Sequence, residues 1–116
     1  MKNLILTLVI LISGLSFGQA IEPVLEAENG LVKATYHYEN GAVQQVGYFK
    51  DGKLDGKWTS YDENGNLKAT AEYTNGVKTG KWMYYSNSVC VSEVSFVDNR
   101  IVDVKKFNHN AIADKD

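Results

Sequence analysis

The sequence predicts an all-β fold, a single antiparallel meander of β-hairpins. The first observation behind this prediction is an internal repeat: FKDGKLDGKW at residues 49–58 returns 24 positions later as YTNGVKTGKW at residues 73–82. A repeat of this length is typical of proteins built by stacking one supersecondary unit on the next. The second observation is composition. Tyr, Val, Thr, Phe and Trp are common between the turn residues, and the sole proline, Pro23, precedes the first expected strand.

The first twenty residues are predicted to be a secretory signal peptide. An almost unbroken apolar run from Leu4 to Phe17 is followed by small residues at Gly18 and Ala20. A membrane-spanning helix needs roughly 20 apolar residues, and this run is shorter. We therefore expect a helical leader, cleaved after Gly18 or Ala20, and a periplasmic or secreted mature protein that is not embedded in the membrane.

After the leader, the chain is expected to contain a linker (21–30), one repeat domain (31–107) and a polar C-terminal tail (108–116). This part holds 11 basic and 14 acidic side chains, and the basic ones are scattered singly. Nucleic acids and anionic membranes need a concentrated positive patch, so neither is an expected partner. The lone cysteine, Cys90, cannot form an intramolecular disulfide. It is interpreted as a half-buried strand residue, with an intermolecular bridge or a reactive thiol as alternatives.

The repeat predicts the strands and the turns between them. Asn40-Gly41 and Asn64-Gly65 are flanked by alternating runs, which favours two-residue type I′ hairpin turns. The segments KDGKLDG and TNGVKTG are interpreted as longer loops, in which the second glycine permits a bulge or close packing of an aromatic ring. Gly30, outside the repeat, is expected to be less sensitive to replacement than the repeat glycines. The expected strands are 31–38, 42–50, 57–62, 66–73, 81–86, 89–97 and 101–107. The structural repeat glycines are Gly41, Gly52, Gly56, Gly65, Gly76 and Gly80.

The polar residues do not suggest a catalytic or metal site. His37 and His109 are isolated from each other in sequence, and Asp51 and Asp55 are interpreted as solvated turn residues. The DENGN segment, residues 62–66, has oxygen-bearing side chains at alternate positions, but the glycine and glutamate that a calcium loop of the EF-hand type requires further along are missing. We therefore expect a protein that is not an enzyme and that has no metal and no cofactor.

Residues 47–65, GYFKDGKLDGKWTSYDENG, resemble a MORN repeat, and the following unit matches the pattern as far as Tyr85. The Lys-Trp pair after the second glycine is similar to a bacterial variant of the repeat that occurs in exported proteins and in proteins labelled antitoxins. The resemblance covers about residues 31–104 and implies a scaffold or protein-interaction module at the cell envelope. Its partner would be another protein or a second copy of the chain. An antitoxin or immunity-like inhibitor is the alternative, and envelope glycan or lipid binding is a weaker one.

Aromatic residues recur in register along the repeat. A single-layer sheet without helices cannot cover both of its faces, so part of this aromatic area is expected to contact a partner. Cross-strand packing is the other use of the same residues. Trp58 and Trp82 are expected to be mainly structural, and the tyrosines to lie nearer the contact surface. The candidate interaction residues are Trp58, Trp82, Tyr61, Tyr84 and Tyr85.

Overall fold

The computed structural model describes residues 21–108, and this part of the chain is all β. The expected leader, residues 1–20, and residues 109–116 of the expected tail lie outside the described residues. The single antiparallel meander predicted from the sequence is confirmed. The strands are β1 Val24–Glu28, β2 Leu31–His37, β3 Val43–Lys50, β4 Lys53–Tyr61, β5 Leu67–Thr74, β6 Val77–Lys78, β7 Gly80–Ser86, β8 Val89–Val97 and β9 Arg100–Lys106.

All strands belong to one sheet in the order β1-β2-β3-β4-β5-β7-β8-β9, and the short β6 pairs with the end of β5. Every pairing is between antiparallel neighbours in sequence or across β6. The sheet therefore has two edge strands, β1 and β9. Short connections explain this order, because a loop of at most five residues joins only strands that lie side by side.

The interpretation of residues 21–30 as a linker is wrong for its central part. Val24–Glu28 form β1, which pairs with β2 from Val24 opposite Thr35 to Glu28 opposite Leu31. The turn between them, Asn29-Gly30, has positive φ at both residues, 51° and 81°. Residues 21–30 were not predicted to contain a strand because they carry three glutamates and no aromatic residue, a composition that strands disfavour.

The two kinds of turn are exchanged relative to the prediction. Asp51-Gly52 and Asn75-Gly76 form the tight two-residue turns, with positive φ at both positions, and they join Lys50 directly to Lys53 and Thr74 to Val77. A type I′ turn requires this geometry. Residues 53–56, expected in a loop, are therefore strand.

At the opposite ends of the hairpins, Gly41 and Gly65 have positive φ but the preceding asparagines do not. In each, the glycine N–H donates to the carbonyl three residues earlier, at 3.0 Å. This is a type I turn followed by a left-handed glycine, a longer hairpin loop. In the second of them Asp62 holds the loop with its carboxylate, which accepts the N–H groups of Asn64 and Asn66 at 2.9 Å.

The prediction that the second glycine of each unit lies at an irregularity is confirmed. Gly56 and Gly80 have φ of 78° and 69°. Near Gly56 the pairing of β3 with β4 shifts, and before Gly80 the strand is interrupted at Thr79. Each glycine places the following tryptophan against the neighbouring hairpin.

The register divides the sheet into two faces. The aromatic face carries two groups of rings: Tyr36 and Phe49 contact Trp58, and Tyr73 and Phe96 contact Trp82. The polar face carries Lys33, Lys57, Glu72, Lys81, Glu93 and Lys105. The core lies on the aromatic face in the N-terminal half, where Ala34, Tyr36, Phe49 and Trp58 are buried together.

Candidate functional site

Trp58 is the centre of the N-terminal core. Its ring contacts that of Phe49 edge to face, with 5.2 Å between the ring centres, and that of Tyr36, with 6.3 Å between the ring centres. Its indole N–H donates to the Tyr48 carbonyl at 3.1 Å, so the buried ring keeps its polar atom satisfied. Gly47 lies directly beneath the ring, where any Cβ atom would overlap it. The glycine in the strand is therefore required by the tryptophan, a role that neither position alone would reveal.

Trp82 repeats this arrangement 24 residues later. Its indole N–H donates to the Glu72 carbonyl at 3.1 Å, and Glu72 is the residue that corresponds to Tyr48. Its ring meets Tyr73, the counterpart of Phe49, at 5.2 Å. It also contacts Phe96 at 5.0 Å. Both tryptophans therefore make the same backbone hydrogen bond and the same aromatic contact.

The turns repeat as well, each contacting the next hairpin. The Gly76 N–H donates to the Leu54 carbonyl at 2.7 Å, and the Asn99 N–H donates to the Lys78 carbonyl at 3.0 Å. Lys78 is the counterpart of Leu54. The repeated unit is therefore a hairpin that binds its neighbour by a tryptophan on one side and a turn at the end.

Residues 54–75 match the family model described as MORN repeat variant. This segment is similar to a MORN repeat. The matched segment runs from β4 through β5 to the turn after it, and the Trp82 contacts above show the same geometry in the next unit. The resemblance seen in the sequence is confirmed for residues 54–75.

Two further comparisons complete this result. No curated protein matches the chain. Among solved structures, it is similar to a chain in the crystal structure of accessory secretory protein 1, 2 and 3 in Streptococcus pneumoniae, with 6% identity and a TM-score of 0.44. That match covers 73% of this chain and 16% of the other, so the present chain spans a small part of that protein's length.

The candidate interaction residues fall into two groups by exposure. Trp58 is only 4% exposed, so it belongs to the core of the sheet and cannot contact a partner. Tyr84 is 38% exposed, whereas Trp82, Tyr61 and Tyr85 are half-buried. The Tyr85 hydroxyl lies 3.5 Å from the sulfur of Met83.

Trp82 and Tyr84 lie together on the aromatic face, with Val94 and Val104 beside them in register. We call these four residues the C-terminal patch. Val104 is 48% exposed. The patch is continuous with the core, but its members Tyr84 and Val104 are exposed, whereas Trp58 in the core is 4% exposed. Sequence reasoning missed the two valines because it followed only the aromatic residues; the alternation of VCVSEVSFV and IVDVKK is the signal that could have found them.

Packing on the aromatic face also sets the position of the Lys78 ammonium and the pKa values of two tyrosines. The Lys78 ammonium lies 5.1 Å from the centre of the Trp82 ring and 5.4 Å from that of Phe96, within cation–π range. Burial, followed by the nearby Tyr84, raises the pKa of Tyr73. Burial alone raises the pKa of Tyr36 far above its ordinary value. The Tyr36 hydroxyl has no hydrogen-bond partner among the described residues.

The polar residues weighed for chemistry are accounted for by local structure. Within residues 21–108, no three His, Cys, Asp or Glu side chains are grouped to hold a metal ion. The Asp62 carboxylate serves its own turn, and the N–H of Asn66, then that of Asn64, lower its pKa. Asp55 accepts the N–H of Asn75 at 3.1 Å, so it joins two MORN hairpins rather than standing in solvent alone. Cys90 is half-buried in β8, its sulfur 3.6 Å from the Ser92 carbonyl, in line with the strand interpretation.

A search of residues 21–108 for a helix long and apolar enough to cross a membrane finds none.

Proposed function

We propose that this chain is a non-enzymatic, exported MORN-repeat protein that binds another protein at the bacterial cell envelope, and that the C-terminal patch is the binding surface. The carrying observation is the difference between two equivalent positions. Trp58 is 4% exposed, whereas its counterpart Trp82 is half-buried and the adjacent Tyr84 is 38% exposed. The same face thus serves as core in one half of the sheet and as contact surface in the other.

The chemistry of the patch fits a protein partner. It combines large aromatic side chains with aliphatic ones, and it has a cation at its border in Lys78. Aromatic residues with a few polar groups at the rim are typical of protein interfaces. Tyr84 is the best single contact residue because, at 38% exposed, it is the more exposed of the two aromatic side chains of the patch.

The test is recovery of a partner from envelope extracts with two matched variants. Tyr84→Ala should lose the partner and leave the thermal midpoint nearly unchanged, because exposed side chains contribute little to folding. Tyr48→Ala is the control: it removes a half-buried tyrosine from the polar face, opposite Lys33, and should retain the partner. If the partner is recovered with Tyr84→Ala but not with Tyr48→Ala, the contact lies on the polar face and the proposal is wrong. A hydrolase or transferase activity that either variant loses would overturn the non-enzymatic proposal.

The identity of the recovered protein separates a scaffold from an antitoxin-like inhibitor, since an inhibitor should recover a toxin encoded beside it. Export is tested separately by mass spectrometry of the protein from its host. The expected N-terminus is Gln19 or Ile21, and an intact Met1 on the mature protein would contradict export.

A further inference from the structure

The two edge strands of the sheet carry opposite charges. The β1 edge, residues 21–30, has three acidic side chains, Glu22, Glu26 and Glu28, and no basic one. The β9 strand has three basic side chains, Arg100, Lys105 and Lys106, against one acidic residue, Asp103. Every residue of both strands is exposed.

Neither edge has a second strand partner among the described residues, because β1 pairs only with β2 and β9 only with β8. An edge strand exposes a row of backbone N–H and C=O groups that can pair with another chain. Apolar side chains accompany them: Leu25 is 37% exposed on β1 and Val102 is 55% exposed on β9. Like charges oppose pairing of β1 with another β1, and of β9 with another β9.

Strand direction permits the remaining combination, which is β9 of one copy with β1 of another. The continuous path through the sheet contains eight strands, each antiparallel to the next, so its first and last strands run in opposite directions. A second copy placed beside the first, in the same orientation, therefore presents its β1 antiparallel to β9. This continues the meander as another hairpin would.

The faces match in the same placement. Leu25 and Ala27 of β1 pair with Ala34 and Val32 of the aromatic face, and Val104 of β9 pairs with Val94. On the polar face, Glu26 pairs with Lys33 and Lys105 pairs with Glu93. A register that puts Val104 opposite Ala27 of the next copy also puts Lys105 opposite its Glu26. It puts Asp103 opposite Glu28, one unfavourable pair at the end of β1.

We propose that the partner of each edge is a second copy of this chain: β9 of one molecule pairs antiparallel with β1 of the next, guided by the basic and acidic edges. The contact is head-to-tail, so in a dimer each molecule still has one unpaired edge strand. The assembly can therefore grow beyond a dimer. Of the C-terminal patch, this contact involves only Val104, which lies on β9. It stands apart from the proposed function, since Tyr84→Ala should leave assembly intact.

The experiment is sedimentation velocity over a concentration series with the protein produced from the full-length chain. Wild type should form a series of oligomers that dissociates as salt is raised, because exposed charge pairs are screened. Glu26→Lys and Lys105→Glu should each weaken association roughly tenfold, since each replaces an opposite-charge pair by a like-charge pair. Mixing the two variants should restore association, because each contact then again pairs one acidic and one basic side chain at positions 26 and 105. The double variant with Glu26→Lys and Lys105→Glu should associate for the same reason. Asp103→Lys should strengthen it.

Glu39→Lys and Lys50→Glu are matched controls, because both side chains are exposed and lie away from the edges. They should assemble as wild type does. A monomer at all concentrations would overturn the proposal. A closed dimer, or oligomers that the edge variants leave unchanged, would overturn it equally.

Discussion

The sharpest stability prediction compares Trp58 with Trp82, which occupy the same position in successive repeats. Trp58→Ala removes a side chain that is 4% exposed, together with its contacts to Phe49 and Tyr36 and its hydrogen bond to the Tyr48 carbonyl. A buried tryptophan replaced by alanine costs about 3–5 kcal/mol, because transfer and cavity terms add. We expect about 4 kcal/mol.

Trp82→Ala removes the equivalent hydrogen bond and aromatic contact, but its ring is only half-buried. Its smaller buried area suggests a smaller loss, about 2 kcal/mol on the same scale. In a domain of this size each kcal/mol lowers the thermal midpoint by about 4–8 °C. The two variants should therefore differ by about 10 °C.

The assay is urea unfolding followed by tryptophan fluorescence of the remaining indole, with circular dichroism as an independent probe of the strands. Trp58→Phe is the matched control, since it keeps an aromatic ring in the core and removes the indole N–H. It should fall between wild type and Trp58→Ala. Equal losses for Trp58→Ala and Trp82→Ala, or a loss below about 1 kcal/mol for Trp58→Ala, would refute the reasoning from burial.

The remaining predictions concern a turn and two ionisable side chains. Gly30→Val should cost more than about 1 kcal/mol, as should Gly52→Val, because both glycines have φ near 80°; a smaller cost at Gly30 in urea unfolding would contradict the turn. Tyr36→Phe should leave stability unchanged or raise it by up to about 1 kcal/mol, because it removes a buried hydroxyl without a partner; a lower thermal midpoint would show that the hydroxyl has one. The lowered pKa of Asp62 stabilises the fold above the ordinary carboxyl pKa of 3.8 and this contribution is lost as pH falls through the folded value. The stability difference between wild type and Asp62→Ala should therefore be larger at pH 6 than at pH 3, and an equal difference at both would contradict it.

The sequence alone determined the fold class because its two signals are local. The 24-residue spacing of Gly-Lys-Trp is visible without any knowledge of contacts, and alternation of strand-forming residues fixes a period of two. Positive φ at Gly52, Gly65 and Gly76 was likewise predictable, because few other residues adopt that conformation.

The turn types were decided by contacts outside the Asn-Gly dipeptide, local at one turn and tertiary at the other. Asn64-Gly65 and Asn75-Gly76 are the same dipeptide, yet only the second forms a two-residue turn. At the first, Asp62 draws the backbone into a longer loop. At the second, the next hairpin binds the turn through Leu54 and Asp55, contacts some twenty residues away that the dipeptide does not contain.

Burial of the two tryptophans was also decided by the assembled sheet. Trp58 and Trp82 have the same local sequence, the same indole hydrogen bond and the same aromatic partner in the unit. Each has a further aromatic contact, Tyr36 of β2 on Trp58 and Phe96 of β8 on Trp82, yet Trp58 is 4% exposed and Trp82 only half-buried. The sequence set what each repeat unit can pack, and position along the sheet decided which unit is core and which is surface.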